Sequence, residues 1–138
     1  MSRIVMANGC FDLLHAGHVA HLKAARAMGD VLIVSLTVDE CVNKGPGRPI
    51  YKWADRAALV RELRCVDNVV PTKNAVDAIL TLCPDIFVKG IDYVNGGWTE
   101  DVLSACKQVG AEIRFTSTPK LSASETIRKV MVIDGELA

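Results

Sequence analysis

The run Val31-Leu32-Ile33-Val34-Ser35-Leu36-Thr37 is apolar on both faces of a β-strand. Such a strand must be covered on both sides, which the two-layer β-sheet proteins rarely require. Shorter runs of the same kind recur at Ile4-Val5-Met6-Ala7, Val69-Val70, Asp85 to Lys89 and Glu112 to Thr116. Between them lie stretches with helical spacing of small and apolar residues. Helices are expected over 17–28, 53–64, 75–82 and 99–109, with a further one starting at Ser122. Strands alternating with helices predict right-handed crossovers and a parallel sheet. The expected fold is a single-domain, Rossmann-like, three-layer α/β/α unit with a five-stranded parallel sheet over 1–130, and a tail over 131–138.

Stops and starts support these bounds. Gly29-Asp30 ends the first helix, Pro84 the third and Gly110 the fourth, and Thr99 is placed to cap the fourth. On the second helix the expected apolar set is Ala54, Ala57, Ala58, Leu59 and Leu63. Arg56, Arg61, Glu62 and Arg64 would form its polar side.

Composition excludes several classes of partner. The 138 residues carry 16 basic and 16 acidic side chains, with no basic run to bind nucleic acid. No apolar stretch reaches the length of a membrane span, and Arg3 is followed by only four apolar residues, unlike a signal peptide. A cytoplasmic protein is expected. Its five cysteines, Cys10, Cys41, Cys65, Cys83 and Cys106, have neither zinc-knuckle nor redox spacing, and read as free buried thiols.

The chemistry concentrates in Asn8-Gly9-Cys10-Phe11-Asp12-Leu13-Leu14-His15-Ala16-Gly17-His18. This is a strand-to-helix turn, expected at the N-terminal end of the sheet. Gly9 allows a sharp turn and close approach of an anion. His15 and His18 share one side of the first helical turn, Gly17 blocks nothing, and the free amides of a helix start favour negative charge. A cationic loop, Lys44-Gly45-Pro46-Gly47-Arg48-Pro49, suits capture of a polyphosphate. Gly90 permits close approach after the fourth strand, and Asp92 can accept from an amine or hydroxyl. Ser122 and Glu125 form a capping box, so a helix start offers amides and the Ser124 and Thr126 hydroxyls to phosphate. Taken alone, each of these features is equally served by a plain turn, a cap or a solvated charge.

Gly9-Cys10-Phe11-Asp12 followed by His15-Ala16-Gly17-His18 resembles the signature of the cytidylyltransferase-like nucleotidyltransferases. The resemblance extends over nearly the whole chain, to about Lys129. It implies transfer of a nucleoside monophosphate from ATP or CTP to a phosphorylated small molecule, with release of pyrophosphate. His15, His18, Lys44 and Arg128 are then the catalytic candidates. Gly9, Cys10, Phe11, Asp12, Gly17, Lys89, Gly90, Asp92, Ser122, Ser124 and Thr126 are the nucleotide-binding candidates, with no nucleophilic role for Cys10. Arg48, Arg56 and Arg64 are implied to bind the acceptor. Ala123 and Glu125 interrupt the Ser/Thr run that relatives carry at the last helix start.

Val88-Lys89-Gly90-Ile91-Asp92-Tyr93 and the Lys44 loop lean toward heptose 1-phosphate adenylyltransferase. The length of the chain suits glycerol-3-phosphate cytidylyltransferase as well. A non-catalytic nucleotide-binding module is the alternative of another class. Mg²⁺ is the expected cofactor, bridging phosphates and held mainly by the nucleotide, because the sequence has no carboxylate cluster and no metal ligands are assigned. A homodimer is implied by resemblance around Arg64-Cys65-Val66-Asp67.

Overall fold

The computed structural model of the protein describes residues 2–90, 99–117, 125 and 127–130. In chain order the elements are β1 (Ile4–Gly9), α1 (Ala16–Arg26), β2 (Val31–Thr37), a 3₁₀ turn (Asp39–Cys41), α2 (Trp53–Arg61), β3 (Asn68–Thr72), α3 (Ala75–Leu82), β4 (Ile86–Gly90), α4 (Glu100–Val109) and β5 (Glu112–Thr116). The five strands form one parallel sheet in the order β3-β2-β1-β4-β5. The expected three-layer architecture is therefore the one observed. β2 is an interior strand, as its doubly apolar sequence requires, but β1 takes the centre.

Period-two alternation divides the strands between two cores. Val5 and Ala7 of β1, Leu32, Val34 and Leu36 of β2, and Ile86 and Val88 of β4 face Leu22 and Ala25 of α1 and Ala57 and Val60 of α2. Met6 and Phe87 point the other way, against Ala78 and Ile79 of α3 and Ala105 and Cys106 of α4. The chain steps outward from β1 to β3, then crosses back over the sheet through α3 to β4. That reversal puts the first two helices on one face and the last two on the other. It opens a crevice between the carboxyl ends of β1 and β4.

Three aspartates pin the opposite, amino edge. Asp30, Asp67 and Asp85 accept from the backbone N–H of Arg3, Leu32 and Ile4 at 2.7, 2.8 and 2.8 Å. The expected Thr99 cap and Gly110 stop are found at α4, and α3 has an Asn74 cap beyond those expected from the sequence. Asn74 and Thr99 cap these helices through the N–H of Asp77 and Val102, and Gly110 closes α4 at φ 75°.

Three expectations are corrected. The β1–α1 turn lies at the carboxyl edge, because it follows the end of β1 in a parallel sheet. α2 ends at Arg61, and its buried face is Arg56, Ala57 and Val60, while Ala54, Ala58 and Leu59 are exposed. Arg56 occupies the position where a period-3.6 reading looks for an aliphatic residue. Cys41 and Cys83 are exposed; Cys106 alone of the five is buried, and none is in a disulfide.

Candidate active site

α1 begins with a reciprocal cap made by two histidines. His15 is the N-cap in extended backbone, and its Nδ1 accepts from the His18 N–H at 3.3 Å. The His18 Nδ1 accepts in return from the His15 N–H at 3.2 Å. This is the capping-box arrangement with imidazoles in place of Ser and Glu. An Nδ1 that accepts carries no proton, so each neutral ring holds its proton on Nε2. The backbone thus selects the tautomer and leaves two Nε2–H donors for something else. His15 Nε2 is buried and has no hydrogen-bond partner among the described residues.

The rings stack with centroids 3.7 Å apart and planes 18° from parallel, and the Phe11 edge meets His18 at 5.0 Å. Burial in this stack pushes His18 down to about 4, with further lowering from the nearby charges of His15, His21 and Lys44. Burial also lowers His15. Both rings are therefore neutral donors near pH 7, since two stacked imidazoles cannot both carry charge cheaply.

The turn before the histidines is shaped differently from the sequence expectation. The left-handed residue is Phe11, at φ 45°, not Gly9. Gly9 is required for another reason: a Cβ there would lie 2.8 Å from the Phe11 ring, which folds back into the core. Around the turn, Thr37 Oγ1 donates to the Gly9 carbonyl at 3.3 Å, and Ser35 Oγ donates to Asn8 Oδ1 at 2.7 Å.

Asp12 and two of the three arginines expected to bind the acceptor are committed to the protein. Asp12 accepts from Arg48 Nε at 2.7 Å, Ile50 N–H at 2.7 Å and Tyr51 N–H at 3.0 Å. The side chains of Asp12 and Arg48 are only 1% and 6% exposed. Burial opposes ionisation of Asp12, yet these donors together hold its carboxyl below its ordinary value. Arg56 is fully buried and donates to the carbonyls of Tyr51 and Cys10, at 2.9 and 2.8 Å, and to Asp39 Oδ1 at 2.6 Å. The expected acceptor-binding role of Arg56 is corrected: each of its three donor nitrogens is turned inward. Arg48 likewise lies inside, as the partner of Asp12. Arg64 is exposed beyond the end of α2. It precedes β3, so it sits at the amino edge, across the sheet from the histidines.

The carboxyl edge does bring other candidates together. Cys10 and Gly17 lie in the turn and the first turn of α1. Lys44 is exposed in the loop between β2 and α2, close enough for its charge to bear on His18. Lys89 and Gly90 end β4, the neighbour of β1 in the sheet. Lys89 is half-buried with its Nζ 5.6 Å from the Phe87 ring, and burial lowers its pKa. A Cβ on Gly90 would meet nothing within 4 Å among the described residues. Arg128 is exposed on a helical stretch over 127–130. Asp92, Ser122, Ser124 and Thr126 lie outside the described residues.

Sequence reasoning missed the residues that tie this edge together. His21 Nδ1 pairs with Thr116 Oγ1 at 2.5 Å, joining α1 to β5. Trp53 Nε1 donates to the Leu36 carbonyl at 2.9 Å, fixing the start of α2. Only the hydrogen-bonding capacity of an indole or imidazole beside apolar neighbours hinted at either. For Mg²⁺, no group of three or more His, Cys, Asp or Glu among the described residues is placed to hold a metal ion. The carboxylate of Asp12 is already occupied. No side chain here is assigned to the ion.

The sequence profile of the cytidylyltransferase-like family matches residues 6–130. The bifunctional protein HldE of Helicobacter pylori strain P12 is 50% identical over 97 residues, covering 67% of this chain and 21% of that protein. HldE of Methylobacillus flagellatus is 41% identical over 136 residues, covering 93% and 27%. The chain thus spans about a quarter of the length of these relatives. Among solved structures, the lipopolysaccharide core biosynthesis protein of Thermoplasma volcanium superposes with a TM-score of 0.73 at 30% identity, covering 87% of this chain and all of that one. Thermotoga maritima TmcAL bound with alpha-thio ATP shares the fold at a TM-score of 0.65 and 16% identity, covering 96% and 51%.

A parallel sheet with a histidine-capped helix at its switch point, matched by this profile, places the chain in the cytidylyltransferase-like family. It is by that membership an enzyme of the nucleotidyltransferase class.

Proposed function

We propose that the chain transfers adenylate from ATP to a sugar 1-phosphate of the heptose type, releasing pyrophosphate. The observation that carries the mechanism is the reciprocal His15–His18 cap, which presents two neutral Nε2–H donors at the carboxyl edge of β1. Such donors suit a reaction in which charge grows on phosphoryl oxygens and little proton transfer is required. An acceptor phosphate oxygen attacks the α-phosphorus in line, forming one P–O bond as the bond to pyrophosphate breaks. His15 and His18 donate to the oxygens of the five-coordinate phosphorus. Lys44 and Arg128 neutralise the β and γ phosphates as they leave. Lys89, at the end of β4, faces the same crevice and adds positive charge. Mg²⁺ carried on the triphosphate would supply further charge neutralisation, and no residue of this chain is assigned to hold it.

The similarity to HldE and to a lipopolysaccharide core biosynthesis protein favours a sugar phosphate as acceptor. The choice of ATP rests on the Val88-Lys89-Gly90-Ile91-Asp92-Tyr93 resemblance. The segment Ser122 to Thr126 is proposed to complete the triphosphate site, and the homodimer and cytoplasmic location belong to the same reading. Pyrophosphate release across four nucleoside triphosphates and a panel of sugar, polyol and amine phosphates tests it. ATP with a heptose 1-phosphate should give the highest kcat/KM. CTP with glycerol 3-phosphate as the best pair would overturn the substrate assignment and leave the enzyme class standing.

A further inference from the structure

Two buried charged nodes join the catalytic turn to the loop that carries Lys44. Asp12 lies three residues before the cap histidine. It gathers Arg48 and the N–H groups of Ile50 and Tyr51, 36 to 39 residues further along the chain. Arg56 gathers the Cys10 carbonyl from the turn, the Tyr51 carbonyl from the end of the loop and Asp39 from the 3₁₀ turn. Asp12 and Arg56 thus grip Tyr51 by both of its backbone groups, the N–H and the carbonyl. The loop between the nodes has two glycines at positive φ, Gly45 and Gly47, and mostly exposed side chains. Such a segment has few contacts of its own to fix it. Its position is set by its anchors.

We infer that Asp12 and Arg56 are positioning residues that clasp the 44–52 loop to the β1–α1 turn, so that Lys44 is held over the histidine pair. Asp12 then acts through the loop rather than by touching the nucleotide, and Arg48 is part of the anchor rather than a contact to substrate. The role of Lys44 rests on the function proposed above; the clasp itself does not. The chemistry fits a clasp because a carboxylate that accepts three donors has little capacity left for an uncharged nucleotide group. Arg56 donates through each of its three nitrogens inside the protein and is fully buried, so its guanidinium is not presented to a phosphate.

Asp12→Asn tests this in two ways. Its amide nitrogen cannot accept, so at least one donor loses its partner. Hydrogen exchange should show the Ile50 and Tyr51 amides losing protection by about tenfold or more, while the His18 amide, bonded to His15, stays protected. This readout does not depend on turnover. In kinetics, Lys44→Ala should raise the KM for triphosphate strongly in the wild-type background and only slightly in Asp12→Asn. That amounts to a coupling of roughly tenfold, as expected for residues acting as one unit. Unchanged protection at Ile50 and Tyr51, or two losses that simply multiply, would overturn the clasp. Loss of protection in a chain with no transferase activity would keep the clasp and remove the function. Should Asp12→Asn not fold, Arg48→Gln leaves Asp12 its two backbone donors. It should show the same coupling to Lys44→Ala, and multiplying losses there would count against the clasp equally.

Discussion

His18 carries the clearest electrostatic signature in the molecule. Burial and three neighbouring positive or titratable groups hold it near 4 rather than 6.5. A proton on His18 Nδ1 would also break the bond it accepts from the His15 N–H. The sign of the pH effect follows. The unfolded chain binds a proton on this histidine below about 6.5, whereas the folded chain does not until about 4. The neutral ring therefore contributes stability that is complete above pH 6.5 and declines as pH falls toward 4. Nitrogen chemical shifts followed from pH 8 to 3.5 should show an Nε2-protonated neutral ring throughout most of that range. A His18 midpoint above 6 would contradict the stacked, desolvated geometry. The spacing of the two histidines was legible in the sequence, but their mutual capping was not. Imidazole is not among the usual cap side chains, and only the backbone conformation of His15 reveals it.

At the scale of elements, the helix and strand bounds were most legible where caps and stops flank them. α3 and β5 fall on the expected residues, because Asn74, Pro84 and Gly110 act locally. α2 was misread because its face is decided by a distant partner. Arg56 is buried by the Cys10 carbonyl, 46 residues earlier, and no local period encodes that. Arg56→Met should cost on the order of 3 kcal/mol, because it removes the three hydrogen bonds made by a fully buried side chain, one of them to Asp39; urea denaturation measures it. By contrast, Arg61→Ala on the same helix should shift the midpoint little, since Arg61 is exposed and only overlies Trp53 at 5.6 Å. Asn74→Ala removes the α3 cap and should cost about 1 kcal/mol. An Arg56→Met chain as stable as the wild type would mean that α2 is not anchored through this side chain.

For the whole molecule, topology explains which candidates meet. The reversal of strand order after β3 sets β1 beside β4, so Cys10, the histidines, Lys89 and Gly90 share one crevice. The same topology removes Arg64 to the far edge, where its chain neighbour Asp67 accepts from Leu32 N–H. A linear resemblance placed Arg64 with Arg48 and Arg56 as an acceptor-binding residue, since sequence order carries no information about which end of a parallel strand a residue occupies. In the proposed homodimer, light scattering at micromolar concentration should return twice the chain mass of 14.9 kDa. A mass of one chain would remove that proposal without touching the site within the chain. Nucleotidyl transfer assisted by the paired histidines is tested most directly by steady-state pyrophosphate release from His18→Ala beside wild type, with nucleotide affinity measured by calorimetry. Loss of one donor to the transition state should lower kcat about a hundredfold, ~3 kcal/mol, with the nucleotide Kd nearly unchanged. A folded His18→Ala chain that turns over at the wild-type rate would contradict the account.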